Sequence, residues 1–63
     1  MINYRINENS AYVLFDDENL DPTECWEFLE SEKIENVEDY NFVEYDLTVA
    51  QHFGQKNAAI FHK

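Results

Sequence analysis

Asp21-Pro22-Thr23-Glu24-Cys25-Trp26-Glu27-Phe28-Leu29-Glu30 is the stretch on which the fold turns. Asp21 can cap a helix. Pro22 suits the first helical position, where its missing N–H has no intrahelical partner, and Glu24 stands where a capping box needs its acid. Cys25, Trp26, Phe28 and Leu29 fall within about 160° of a helical wheel, with Glu24, Glu27 and Glu30 opposite. The spacing predicts an amphipathic helix that ends near Lys33.

Upstream, Ile2, Tyr4 and Ile6 alternate with Asn3, Arg5 and Asn7, the period of a half-buried strand. Glu8-Asn9-Ser10 is turn-like, and Ala11 to Phe15 reads as the hairpin partner. Asp16 to Leu20 reads as a loop. Downstream, Tyr40 to Leu47 alternates again, with Val43, Tyr45 and Leu47 on one face and Phe42, Glu44 and Asp46 on the other. Thr48 and Gln51 form a second capping-box pattern. Val49, Ala50, Phe53, Ile60 and Phe61 lie within about 120° at helical period, and His62 and Lys63 would complement a helix dipole. The tail is therefore expected to be helical and bent near Gly54, with a strand at Ala58 to His62 as the alternative.

The expected fold class is α+β: an N-terminal β-hairpin, one amphipathic helix, a third strand and a helical C-terminal segment, all within one small acidic domain. The expected core is Ile2, Tyr4, Val13, Phe15, Trp26, Leu29, Val43, Tyr45, Phe53 and Ile60. Tyr12, Tyr40 and Phe42 are left over, as edge caps of the core or as interface anchors.

The chain has 63 residues, enough for one domain at most. Its formal charge is −10, yet 44% of its residues are apolar, which is too apolar for a disordered acidic tail. No apolar run exceeds that from Ala11 to Phe15, so no membrane span is expected. With Cys25 alone, no internal disulfide is available, which fits a reducing compartment. The N-terminus lacks a secretory pattern, so a cytoplasmic protein is expected, as a monomer or a homodimer.

Charge placement carries the functional signal. All acids lie between Glu8 and Asp46, with Lys33 the one cation among them. Glu24, Glu27 and Glu30 repeat along one helix face at a spacing where like charges repel by a few tenths of a kcal/mol per pair. Asp16, Asp17, Glu18, Asp21, Glu35, Glu38, Asp39, Glu44 and Asp46 add to the field. A surface built for solubility mixes signs; this one imitates a row of phosphates and suits fast, salt-sensitive association with a basic partner. The expected contact set is Asp16, Asp17, Glu18, Glu24, Glu27, Glu30, Glu35, Glu38, Asp39, Glu44 and Asp46, with Tyr40 and Phe42 as anchors. The alternative is a generic acidic surface that serves solvation.

In size, charge and α+β character the chain resembles, as a class, the small DNA-mimic inhibitors of phages, of anti-CRISPR and anti-restriction type. The resemblance rests on the density of Asp and Glu from Glu8 to Asp46. It implies stoichiometric inhibition without catalysis or cofactor, by occupying the basic nucleic-acid-binding surface of a defence or DNA-processing protein.

The tail offers a second resemblance. Ala50, Gly54 and Ile60, flanked by Val49 and Phe53, are similar to the helix-turn-helix of phage repressors. The resemblance implies a recognition helix that begins at Gln55, Lys56, Asn57 and Ala58, so the alternative function is a DNA-binding regulator using residues 48–63.

Other chemistries are weaker. Asp17, Asn19 and Asp21 match the start of a calcium loop, but Pro22 and Phe28 stand where Gly and Glu are needed. Cys25, His52 and His62 have no paired spacing for zinc. Cys25 with a histidine would make a nucleophile and base, but the thiol lies on the apolar stripe.

Overall fold

The computed structural model describes residues 1–16 and 20–63. The two N-terminal segments pair as the sequence predicts. Strand β1 (Ile2–Ile6) runs antiparallel to β2 (Ser10–Phe15), with Tyr4 opposite Val13. Helix α1 (Pro22–Ser31) follows, and both halves of its capping box form. Asp21 Oδ1 accepts from the Glu24 N–H at 2.8 Å, and Glu24 Oε1 accepts from the Asp21 N–H at 3.2 Å. A 3₁₀ turn (Val37–Asp39), not foreseen from the sequence, leads into β3 (Asn41–Tyr45).

The C-terminal third departs from expectation. Helix α2 (Leu47–His52) is a short helix, and β4 (Asn57–His62) is a strand, so the tail is not helical throughout. β4 pairs antiparallel with β2 on one side and β3 on the other, giving a four-stranded sheet in the order β1-β2-β4-β3. The helical spacing of Ile60 and Phe61 is also a short continuous apolar run, Ala58 to Phe61, which fits a strand buried on both faces. The α2 cap is Asp46, not Thr48: Asp46 Oδ1 accepts from the Val49 N–H at 3.1 Å.

Gly54 ends α2 in the left-handed region at φ +74°. The Gln55 N–H reaches the Ala50 carbonyl at 2.8 Å, and the Gly54 N–H reaches Gln51 at 3.0 Å, the paired bonds of a Schellman stop. α1 ends the same way on a residue that resists it. Lys33 has φ +58°, with Ile34 N–H to Leu29 O at 3.4 Å and Lys33 N–H to Glu30 O at 3.0 Å. Gly54→Ala should therefore lower stability by about 1 kcal/mol, and Lys33→Gly should raise it by up to about 1 kcal/mol. Urea midpoints that move in the same direction for both variants would contradict this assignment.

One helix covers each face of the sheet. Ala11, Val13, Phe15, Ala59 and Phe61 pack with Cys25 and Leu29 of α1 and with Tyr40. Leu14, Ala58 and Ile60 pack with Ala50 of α2 on the other face. Tyr4 and Phe28 meet edge-on at 6.0 Å, and Trp26 and Phe42 line one groove, so α1 crosses the sheet from the β3 side to the β1 side.

The expected alternation along β3 is broken by a bulge. Phe42 lies opposite Phe61 while Glu44 lies opposite Ile60, so one residue is extra. Phe42 and Tyr45 therefore fall on the same side, their rings 5.2 Å apart, and Leu47 belongs to α2. Val43 and Tyr45, expected in the core, are exposed. They lie on an edge strand that, among the described residues, pairs with β4 alone, and the Tyr45 hydroxyl donates to the Leu20 carbonyl at 2.7 Å.

Candidate interaction surface

Glu24, Glu27 and Glu30 stand on the solvent side of α1, opposite the buried Cys25 and Leu29. The helical rise of about 1.5 Å per residue separates successive members by ~4.5 Å along the axis. The chain leaving α1 adds Glu32, Glu35, Glu38 and Asp39, all exposed. Glu32 was absent from the expected contact set, although it lies in the same acidic run.

Four acids also have structural duties. Asp21 and Glu24 close the α1 capping box, and Asp46 caps α2. Asp16 Oδ1 accepts from the Lys56 N–H at 3.2 Å, holding the end of β2 to the segment before β4. Glu44 is exposed on β3. Asp17 and Glu18 lie outside the described residues, as do Asp17 and Asn19 of the calcium-like pattern.

The two expected anchors part company. Phe42 is 36% exposed, whereas Tyr40 is 4% exposed and belongs to the core beneath α1. Its ring is covered by the Lys63 ammonium, 5.4 Å from the centroid. Tyr12 is half-buried on the α2 face. Two surface grooves lie beside Tyr40. One, of about 380 Å³, runs between Pro22, Thr23 and Trp26 on one side and Asn41 and Phe42 on the other, with Glu38 at its rim. The other, of about 410 Å³, is lined by Tyr4, Ile6, Glu32, Lys33, Glu35 and Lys63, which mixes both signs of charge. Both are open to solvent, unlike an enclosed small-molecule site.

The helix-turn-helix pattern is not realised. Ala50 and Gly54 fit it because α2 needs a small buried residue and a left-handed stop. Asn57 and Ala58 begin a central strand with both edges paired, so the segment presents no recognition helix.

Cys25 and the histidines are separated by the sheet or by exposure. Cys25 is fully buried under α1, while His52 is exposed on α2 across the sheet and His62 is exposed at the end of β4. Among the described residues no group of three His, Cys, Asp or Glu side chains could hold a metal ion. No helix among them is long and apolar enough to cross a membrane.

Burial, with smaller contributions from Asp21 and Glu24, pushes the Cys25 thiol up to about 11. The Tyr45 phenol is also pushed up, by desolvation first and then by Cys25, Asp21 and Glu24. At pH 8 the thiolate fraction of native Cys25 is then about 100-fold below that of an ordinary thiol. A thiol-reactive disulfide should modify the folded protein at least that much more slowly than the denatured chain. Equal rates would show that Cys25 is not sealed. The raised value also makes stability pH-dependent: the contribution is complete below about pH 9 and is lost as pH rises toward 11. Cys25→Ala should flatten that decline.

No family model, no curated protein and no solved structure matches this chain.

Proposed function

We propose that this chain is a non-catalytic acidic binding protein of the DNA-mimic type, which occupies the basic nucleic-acid-binding surface of a DNA-processing or defence protein. The observation that carries this is where α1 puts its charge. Its last turn contains Glu30 and no basic residue, and Glu32 is its C-cap. The C-terminal end of a helix dipole disfavours anions by ~0.3–1 kcal/mol each. Glu27 and Glu30 also repel at close spacing. Folding alone would favour lysine at these exposed positions, so the acids stand where they oppose folding and serve a basic partner.

Cys25 and Leu29 bury the apolar side of α1 against the sheet, and the carboxylate face opposite them is turned to solvent. Association driven by such a face is steered by charge and weakens with salt.

The test is capture from a cell lysate at low salt, elution along a salt gradient, and then competition. One dominant nucleic-acid-binding protein is expected to elute, and duplex DNA should displace this chain from it stoichiometrically. Simultaneous binding of DNA and this chain by that protein would overturn the mimic reading. So would a capture that yields no nucleic-acid-binding protein.

A further inference from the structure

The open edge of β3 differs from the other edge of the sheet. Phe42, Val43, Tyr45 and Leu47, close together in the chain, are 36%, 49%, 41% and 59% exposed. All five β3 residues are exposed, whereas β1 half-buries Ile2, Asn3 and Tyr4 and carries Arg5. A cation on an edge strand guards against strand addition, and β3 has none. The Asp46 N–H donates to the Ala58 carbonyl at 2.9 Å, so alternate β4 residues from Ala58 onward address β3. Phe42, opposite Phe61, and Tyr45, opposite Ala59, therefore turn their backbone N–H and C=O away from β4 toward the open edge.

The groove of about 380 Å³ adjoins this edge. Phe42 points to the α1 side, its ring 5.7 Å from that of Phe61. A strand added to β3 would turn alternate side chains the same way, over Trp26 and Phe42 and toward Glu38. Ring faces beside a carboxylate suit a guanidinium or ammonium on an aliphatic stem. The positive end of the α1 dipole does not oppose this, because the Asp21 and Glu24 carboxylates are bound to it. Glu44 on β3, with Asp39 before the strand and Asp46 after it, extends the negative field.

We infer that the β3 edge, with the Trp26–Phe42 groove, receives an extended segment bearing Arg or Lys from a partner protein, as a fifth strand of the sheet. The inference rests on the acidic-binding function and specifies the partner's conformation as well as its charge. A second copy is a poor occupant. It would set Glu44 and its neighbours against an identical acidic edge, with formal charge −10 on each chain. The bulge at Val43 also spaces the outward backbone groups irregularly, which disfavours a long straight strand and restricts the register.

The probe is a synthetic peptide of alternating arginine and valine, with amide exchange read residue by residue by NMR. Binding with a Kd below about 1 mM is expected, and exchange at the Phe42 and Tyr45 amides should slow at least ~10-fold. A fully N-methylated peptide of the same sequence should lose that protection, because it keeps the charge while its methyl groups block close approach to the edge and remove the bonds it would donate. The exposed double variant Glu38→Lys/Glu44→Lys should weaken binding at least ~10-fold. Unchanged exchange at Phe42 and Tyr45 under saturating peptide would overturn the inference. Equal protection by the N-methylated peptide would do the same. Protection that grows with protein concentration and without peptide would assign the edge to a second copy. Edge protection by the peptide without DNA competition in the captured complex would leave this inference standing and remove the mimic. DNA competition with no edge protection would do the reverse.

Discussion

Phe61→Ala should abolish or nearly abolish the folded state at 25 °C. Phe61 is 1% exposed and sits at the centre of the sheet, opposite Ala11 of β2 on one side and Phe42 of β3 on the other. Its ring packs in the cluster that α1 closes. Truncating a buried phenylalanine costs about 3–5 kcal/mol through lost transfer energy and the cavity left behind. A chain this short has a total stability of roughly 3–9 kcal/mol, so the loss removes most or all of it. Far-UV circular dichroism during thermal and urea unfolding would show this directly. Phe42→Ala is the matched control, since Phe42 lies on the same face at 36% exposure and should cost no more than about 1 kcal/mol. Similar midpoints for the two variants would mean that the α1 face of the sheet is not the core.

Glu27→Lys/Glu30→Lys should weaken binding to the captured partner by about 100-fold or more at low salt, mainly through a slower on-rate. Both side chains are exposed on α1 and neither takes part in its caps. The folded state should be unchanged or slightly more stable. Repulsion between the two acids disappears, and a cation arrives in the last helical turn, each worth a few tenths of a kcal/mol. Opposite signs for binding and stability are what separate a functional acidic face from a solvating one. Binding that survives the double reversal at every salt concentration would remove the α1 face from the contact. Lower stability in the variant would undo the argument that these acids oppose folding. High salt should bring the two proteins closer in affinity, because screening removes the steering that distinguishes them.

Several elements were legible in the sequence because their signals are local. The α1 capping box needs only Asp21, Pro22 and Glu24 in order, and its apolar stripe needs only helical spacing. The β1–β2 hairpin follows from alternation in Ile2 to Asn7 and the apolar run of Ala11 to Phe15, on either side of a short polar turn. The acidic face followed too, because Glu24, Glu27 and Glu30 are fixed once α1 is a helix. Gly54 was legible as a break, though not as the Schellman stop of a helix that begins at Leu47.

The rest depended on partners distant in the chain. The tail reads first as helix, with a strand at Ala58 to His62 as the alternative, and Asn57–His62 is a strand because β2 and β3 each offer it an unpaired edge and a helix covers each face. The bulge at Val43 arises only where β3 meets β4, and it turned Phe42 and Tyr45 to one side against the simple alternation. Tyr40 was drawn into the core by its packing with Cys25, Leu29 and Phe61, while Val43 was left exposed at the bulge. Residue order fixes which side chains share a face of a regular element, and so settled α1, the hairpin and the sign of the surface. Only the assembled sheet decided which strand is central, which edge stays open, and hence where a partner could dock, because burial is set by neighbours far apart in the chain.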